Sequence, residues 1–328
     1  MSIIGLGCIV ALAHAAAPQP QLVDVQRIWD AAPHNAFTDL VFHDGAWYCV
    51  FREGDGHVSD NGALRVLRSE DGTQWESTAL LTSDTADLRD AKITVTPEGK
   101  LMLSGAGALH DPDPVHHQSL SWFSDDGTTW SDPVKVGDPN LWLWRVTWHG
   151  DACYGVGYGT VEGNKAARLY KSRDGRHFDT LVPELFGMVE GDEARPTEAS
   201  LIFREEGQAL CLLRRDDGSR TAQLGLAGPP YTRWTWKDLG IYVGGPQLIE
   251  LPDGRIVVGG RSITTGQARM VLHGLDPEAG TLTECLELPS GGDCSYPGLA
   301  WHDGMLWVSY YSSHEGKTSI YLARVKFE

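Results

Sequence analysis

The stretch SYPGLAWHDGMLWVSYYSSHEG, residues 295–316, reads as an apolar strand, an Asp303-Gly304 turn, a second apolar strand and a polar loop. Asp-Gly between two hydrophobic runs is a hairpin signal, because the turn needs positive φ and Gly adopts it at little cost. The same block recurs along the chain. Its turns end at Gly45, Gly99, Gly150, Gly207, Gly254 and Gly304, spaced by 54, 51, 57, 47 and 50 residues. A repeat of this length, built from several short strands, predicts radial blades. The fold expected is all-β, a six-bladed β-propeller.

Composition agrees with that reading. The 328 residues include 38 Gly and 12 Trp, with no long segment of helical period, so one propeller domain is expected over residues 18–328. A net charge of −17 repels polyanions, which argues against nucleic acid and anionic membrane as partners. A small anionic ligand stays open, since it feels local arginines more than net charge. Residues 3–13 (IIGLGCIVALA) precede Ala13-His14-Ala15 and read as a secretory signal over residues 1–17, hence an exported protein. Cys8 falls inside it. Of the other five cysteines, Cys49, Cys153 and Cys211 sit in second-strand positions, where a buried thiol is the default. Cys285 and Cys294 form a candidate local disulfide. No CxxC is present, so cysteine-based zinc and thioredoxin chemistry are not expected.

In chain order, the blades are expected to start at residues 35–40, 88–95, near 142–148, 195–203, 243–251 and at Tyr296. A short strand at Gln26–Asp30 is expected to complete the last blade, tying the chain ends together and removing free sheet edges. Three outer turns share a pattern: SEDGTQW at 69–75, SDDGTTW at 124–130 and SRDGRHF at 172–178. In each, the Asp carboxylate can accept backbone N–H bonds while the aromatic packs down on the blade. Asp71, Asp126 and Asp174 are therefore structural acids. Blade geometry puts these turns on one face. The starts of the inner strands and the loops after the second strands fall on the other, and they hold most of the ionisable and aromatic residues. A polar site around the ring axis is the default expectation there. The loop HisAspProAspProValHisHis at 110–117 invites a metal reading, but its prolines stiffen it and its adjacent histidines rarely reach one ion; no metal is expected.

The three Ser-x-Asp-Gly turns resemble the Asp-box of the non-viral sialidase superfamily, and the resemblance extends from about residue 34 to the end. SYPGLAWHDGMLWVSYYSS resembles the sialidase segment whose Tyr is the nucleophile, which places Tyr296 at that Tyr. RPTEASLIF…LCLLRR resembles the segment with the Glu that activates it, which implies Glu198, and an arginine of the carboxylate-binding triad, which implies Arg215 or its neighbour Arg214. VVGGR implies Arg261, with Arg269 as alternative. Phe51–Asp60 corresponds to the acid/base loop, with Asp60 or His57 in that role. The family opens blade one with Tyr-Arg-Ile-Pro; residues 35–39 here are AsnAlaPheThrAsp, so one triad arginine is missing. Arg52, Arg89 or Arg145 are the candidates to replace it; otherwise the sugar is a different one.

The function this implies is an exo-acting glycoside hydrolase removing a terminal acidic or deoxy sugar from a glycan, as a monomer and without a cofactor. A neutral Tyr approaches an anionic sugar without the repulsion a carboxylate meets, and Glu takes its proton. Two alternatives stand beside it. One is a polysaccharide lyase using His57 or Tyr296 as base. The other is a non-catalytic carbohydrate-binding propeller. Trp142 and Trp144 read as interblade packing.

Overall fold

The computed structural model describes residues 20–163 and 165–327, so the expected signal peptide lies outside the described residues. Within them, strands build six four-stranded antiparallel sheets, and no helix occurs. The inner strands are His34–His43, Ala86–Val95, Leu141–His149, Arg195–Phe203, Gly244–Glu250 and Cys294–His302. Each packs against the inner strands of its two neighbours, closing a ring. This is the six-bladed propeller the repeat predicts. The six turn glycines all have positive φ, for example +73° at Gly304. The closing strand is longer than expected: Gln21–Trp29 pairs antiparallel with Ser319–Lys326, Gln21 opposite Lys326. Cys285 and Cys294 are free, not bridged; the Cys285 thiol donates to the Leu272 carbonyl at 3.2 Å.

One irregularity repeats in all six inner strands. At the same height, two inner-strand residues stand opposite one residue of the second strand. The extra pairs are Phe37-Thr38, Asp90-Ala91, Trp144-Arg145, Thr197-Glu198, Gly245-Pro246 and Tyr296-Pro297. Such bulges bend a strand and re-aim side chains, and they are common beside active sites. Here a ring of six bulges brings unlike residues together around the axis.

The outer turns lock neighbouring blades. Asp71 Oδ1 accepts the Thr73 and Gln74 N–H groups at 2.8 Å each, and Ser69 Oγ accepts the Gly72 N–H at 2.8 Å. Asp126 and Asp174 repeat the arrangement. The turn glycine then sits flat on the preceding blade's second strand. A Cβ at Gly72 would come within 2.4 Å of Trp307, at Gly127 within 2.2 Å of Tyr48, and at Gly175 within 2.7 Å of Met102. Only glycine permits that approach.

His273, in the third strand of blade five, is 2% exposed, and its Nδ1 has no partner among the described residues. Burial lowers its pKa from 6.5 to about 4. The unfolded chain therefore binds this proton at higher pH than the native state does. Stability contributed by the neutral ring is present above pH 6.5 and is lost as pH falls through about 4, by roughly 3 kcal/mol at most. Urea midpoints of His273→Leu are expected to vary less between pH 4 and 6.5 than those of wild type; parallel curves would contradict the assignment.

Candidate functional site

Two bulges meet at the axis. Tyr296 Oη donates to Glu198 Oε1 at 2.7 Å, and Arg214 Nη1 donates to Tyr296 Oη at 2.8 Å and to Glu198 Oε2 at 2.5 Å. The Gly245 N–H donates to Glu198 Oε2 at 3.0 Å. Arg214 is itself held by Asp216 through Nε and Nη2. Tyr296 and Glu198 are buried. Burial raises the Tyr296 phenol well above its ordinary range, eased by Arg214, so it rests protonated. Burial also pushes Glu198 upward, but the charge of Arg214, with the hydrogen bonds from Tyr296, Arg214 and Gly245, outweighs it and holds the carboxyl below its ordinary range. A protonated phenol thus faces an ionised base.

The backbone here is strained. Phe37, Asp90, Ser295 and Tyr296 have φ of 64°, 56°, 102° and 51°, where non-glycine residues are rare and tend to mark functional sites. Gly245 makes room for the tyrosine: a Cβ there would lie 2.6 Å from Tyr296 Cγ. Gly245→Ala is expected to destabilise the fold by about 1–3 kcal/mol through overpacking. An unchanged urea midpoint would show that the ring can move aside.

A second cluster adjoins the first. Arg261 lies 5.4 Å from the Tyr296 ring centre, donates from Nε to the Cys294 carbonyl at 2.9 Å, and donates from Nη2 to Tyr311 Oη at 2.9 Å and to Asp293 Oδ1 at 3.3 Å. Its Nη1 makes no hydrogen bond among the described residues. Asp293 also takes Tyr311 Oη at 2.9 Å on Oδ1, and His34 Nε2 at 3.0 Å and His57 Nδ1 at 2.8 Å on Oδ2. Burial opposes ionisation of Asp293, yet His34, His57 and Tyr311 together hold its pKa far below the ordinary range. Phe37 occupies the blade-one bulge, within the segment 35–39 that lacks the family's arginine. Its ring packs edge-on against His57 and Tyr296, both at 5.1 Å, and Tyr311 at 5.4 Å.

The remaining candidate residues are more widely dispersed. Asp60 is exposed, and its carbonyl accepts a hydrogen bond from His110 Nε2 at 2.9 Å. Arg52 is fully buried and spent on Asp87, Gly56 and Ser59. Arg145 is bound through Nη1 to both oxygens of Asp39 at 2.8 Å. Arg215 turns away to Asp192, Thr221 and Asp238; its neighbour Arg214 is the one that meets Tyr296 and Glu198. Arg269 pairs with Glu284 and Glu287 on the outside. Arg89 contacts Asp87 at 3.3 Å and lies 5.6 Å from the Phe37 ring centre, with its Nε buried and unpartnered among the described residues. Asp293, Asp90 and Lys92 were not singled out. Asp90 and Lys92 are buried; burial raises the one carboxyl and lowers the other ammonium to about 8. Cavities of about 610 Å³ beside Asp192 and Arg195 and about 590 Å³ beside Trp148 and Trp301 do not reach Tyr296.

No family profile matches the chain, and no curated protein does. Solved structures do. A protein of unknown function from Dyadobacter fermentans is 19% identical with a TM-score of 0.83, over 95% of this chain and 100% of that one. A Penicillium chrysogenum α-L-arabinanase is 15% identical with a TM-score of 0.71, over 93% and 98%. A Trypanosoma rangeli sialidase is 12% identical with a TM-score of 0.69, over 94% of this chain and 60% of that one, so the chain spans about three fifths of the sialidase's length. At these identities the likeness is one of fold. The chain has the six-bladed β-propeller architecture found in glycoside hydrolases as different as a sialidase and an arabinanase.

Proposed function

We propose that the protein is an exported, sialidase-like exo-acting glycoside hydrolase that removes a terminal acidic or deoxy sugar from a glycan. The observation that carries this reading is the 2.7 Å Tyr296–Glu198 hydrogen bond, with Arg214 donating to both partners. Glu198 takes the phenol proton as Tyr296 Oη attacks the anomeric carbon, and the leaving oxygen takes a proton from His57 as its bond breaks. Water, deprotonated by His57, then displaces Tyr296, which recovers its proton from Glu198. His57 is preferred to Asp60 because Asp293 orients its ring, which packs on Phe37, itself packed on Tyr296. Arg214, Arg261 and Arg89 supply the positive charge for an acidic sugar. Arg52, Arg145 and Arg215 hold the scaffold. The reaction needs no cofactor, and a single chain carries all its groups.

The test is turnover on a panel of aryl glycosides that includes a sialoside, arabinofuranosides and uronosides, with Tyr296→Phe beside the wild type. Tyr296-dependent cleavage of one member supports the reading; cleavage unaffected by the variant removes Tyr296 from the chemistry. The His57–Asp293 pair beside Arg261 favours a second reading, a polysaccharide lyase in which His57 abstracts the proton next to a uronate carboxylate. Its product is unsaturated, and absorbance in the near ultraviolet on uronate polymers separates the two.

A further inference from the structure

Three polar atoms from distant parts of the sequence converge beside the Tyr296 cluster. They are His34 Nε2 at the start of the blade-one inner strand, His57 Nδ1 in the following top loop, and Asp293 Oδ2 ahead of the last inner strand. All lie within 4.8 Å of one another, and both imidazole nitrogens point at the same carboxylate oxygen, at 3.0 and 2.8 Å. We propose that His34, His57 and Asp293 form a binding site for a divalent first-row transition metal, with Zn²⁺ as its probe.

The donor set is the right one: two imidazoles and a carboxylate suit Zn²⁺ and its neighbours. Bonds of about 2.0–2.2 Å place tetrahedral ligands roughly 3.4 Å apart, so each imidazole nitrogen, now 3.0 or 2.8 Å from Oδ2, would move away from it by roughly half an ångström. The carboxylate is already oriented for one-oxygen coordination, because Tyr311 and Arg261 hold Oδ1 and leave Oδ2 to the histidines. Ligand carboxylates are typically fixed in this way by outer hydrogen bonds. His34 is buried and its Nδ1 has no partner among the described residues, so its imidazole is engaged there through the nitrogen aimed at the cluster. The His57 side chain is 51% exposed, which leaves an approach from solvent and an open coordination position. The loop motif at 110–117 offers nothing comparable: His110 is spent on the Asp60 carbonyl, and His117 packs on Trp142.

Occupancy has a consequence that rests on the hydrolase reading. A metal on His57 Nδ1 removes the ring from its hydrogen bond with Asp293 and from proton transfer, so the ion acts as an inhibitor of turnover.

The binding test needs no substrate. Metal-stripped wild type titrated with Zn²⁺ by calorimetry is expected to take up a single equivalent and to unfold at higher temperature. His34→Ala, His57→Ala and Asp293→Asn are each expected to lose that uptake, His116→Ala to keep it, and Tyr311→Phe to weaken it roughly 10–100-fold as an outer-shell change. Co²⁺ added to the wild type, where no variant need fold, should give the visible absorption of a low-coordinate nitrogen–oxygen site. No uptake by the wild type would overturn the proposal, as would uptake that survives in folded His34→Ala and His57→Ala. Uptake without inhibition would sustain the metal site and count against His57 as the acid, so the two readings fail separately.

Discussion

Tyr296→Phe is expected to abolish turnover of whichever glycoside the wild type cleaves, while Glu198→Gln lowers kcat by roughly 10²–10⁴-fold. The two losses should not add. In the proposed mechanism the catalytic part of Glu198 is to take the tyrosine proton, so once the hydroxyl is gone that proton is gone too, and the double variant should resemble Tyr296→Phe alone. Folding is not the confounding factor. Tyr296→Phe removes one hydroxyl and keeps the ring against Phe37 and Trp144. In Glu198→Gln, Arg214 keeps Asp216 on two of its nitrogens. Steady-state rates on circular-dichroism-checked proteins decide the matter. Activity of Tyr296→Phe within tenfold of wild type, or strictly multiplicative losses, would sink the nucleophile–base pairing. The resting charges support it: a phenol held protonated by burial next to a carboxylate held ionised by Arg214 spends no nucleophile on solvent before substrate arrives.

The ring of blades was legible because its signals are local. Each hairpin announces itself by a glycine at positive φ between apolar runs, and the repeat of that signal sets the blade count. The bulges were not legible. The residues at bulge positions, Phe37, Asp90, Trp144, Thr197, Gly245 and Tyr296, follow no common pattern, and a bulge changes which residue of a strand faces the axis. The same difficulty lies behind Arg214 and Arg215. Adjacent strand residues face opposite ways, so one step of register decides which guanidinium meets Tyr296 and which is buried against Asp192. Asp293 escaped notice for another reason. Its partners His34 and His57 are more than two hundred residues away in sequence, and the Gly-Gly-Asp in which it sits looks like an ordinary turn.

Asp39→Ala is expected to cause the largest loss of stability, about 3–5 kcal/mol, because it leaves a buried cation without its counter-charge. Asp39 is 1% exposed and accepts Arg145 Nη1 on both oxygens at 2.8 Å and the Ile93 N–H on Oδ2 at 3.0 Å. Arg145 Nη2 reaches on to the Pro297 carbonyl at 3.4 Å. One carboxylate therefore joins the inner strands of blades one, two and three, and through Arg145 that of blade six. Asp39→Ala combined with Arg145→Met should recover part of the loss, since the orphaned charge goes with the arginine. The deficit should also depend on pH. Lys92 is buried beside this pair; burial and Arg145 lower its pKa to about 8, while Asp90 and Asp39 hold it up. Removing Asp39 lowers it further. The native state then sheds the Lys92 proton at a lower pH than wild type does, while the unfolded chain keeps it to about 10.4. Stability of the variant thus begins to recover at lower pH, and the gap to wild type should narrow as pH rises from 6 to 9. Urea denaturation across that range reads both effects. A deficit below about 1 kcal/mol at pH 6 would mean that water reaches Arg145 and replaces Asp39. A gap constant in pH would mean that Lys92 does not feel the carboxylate.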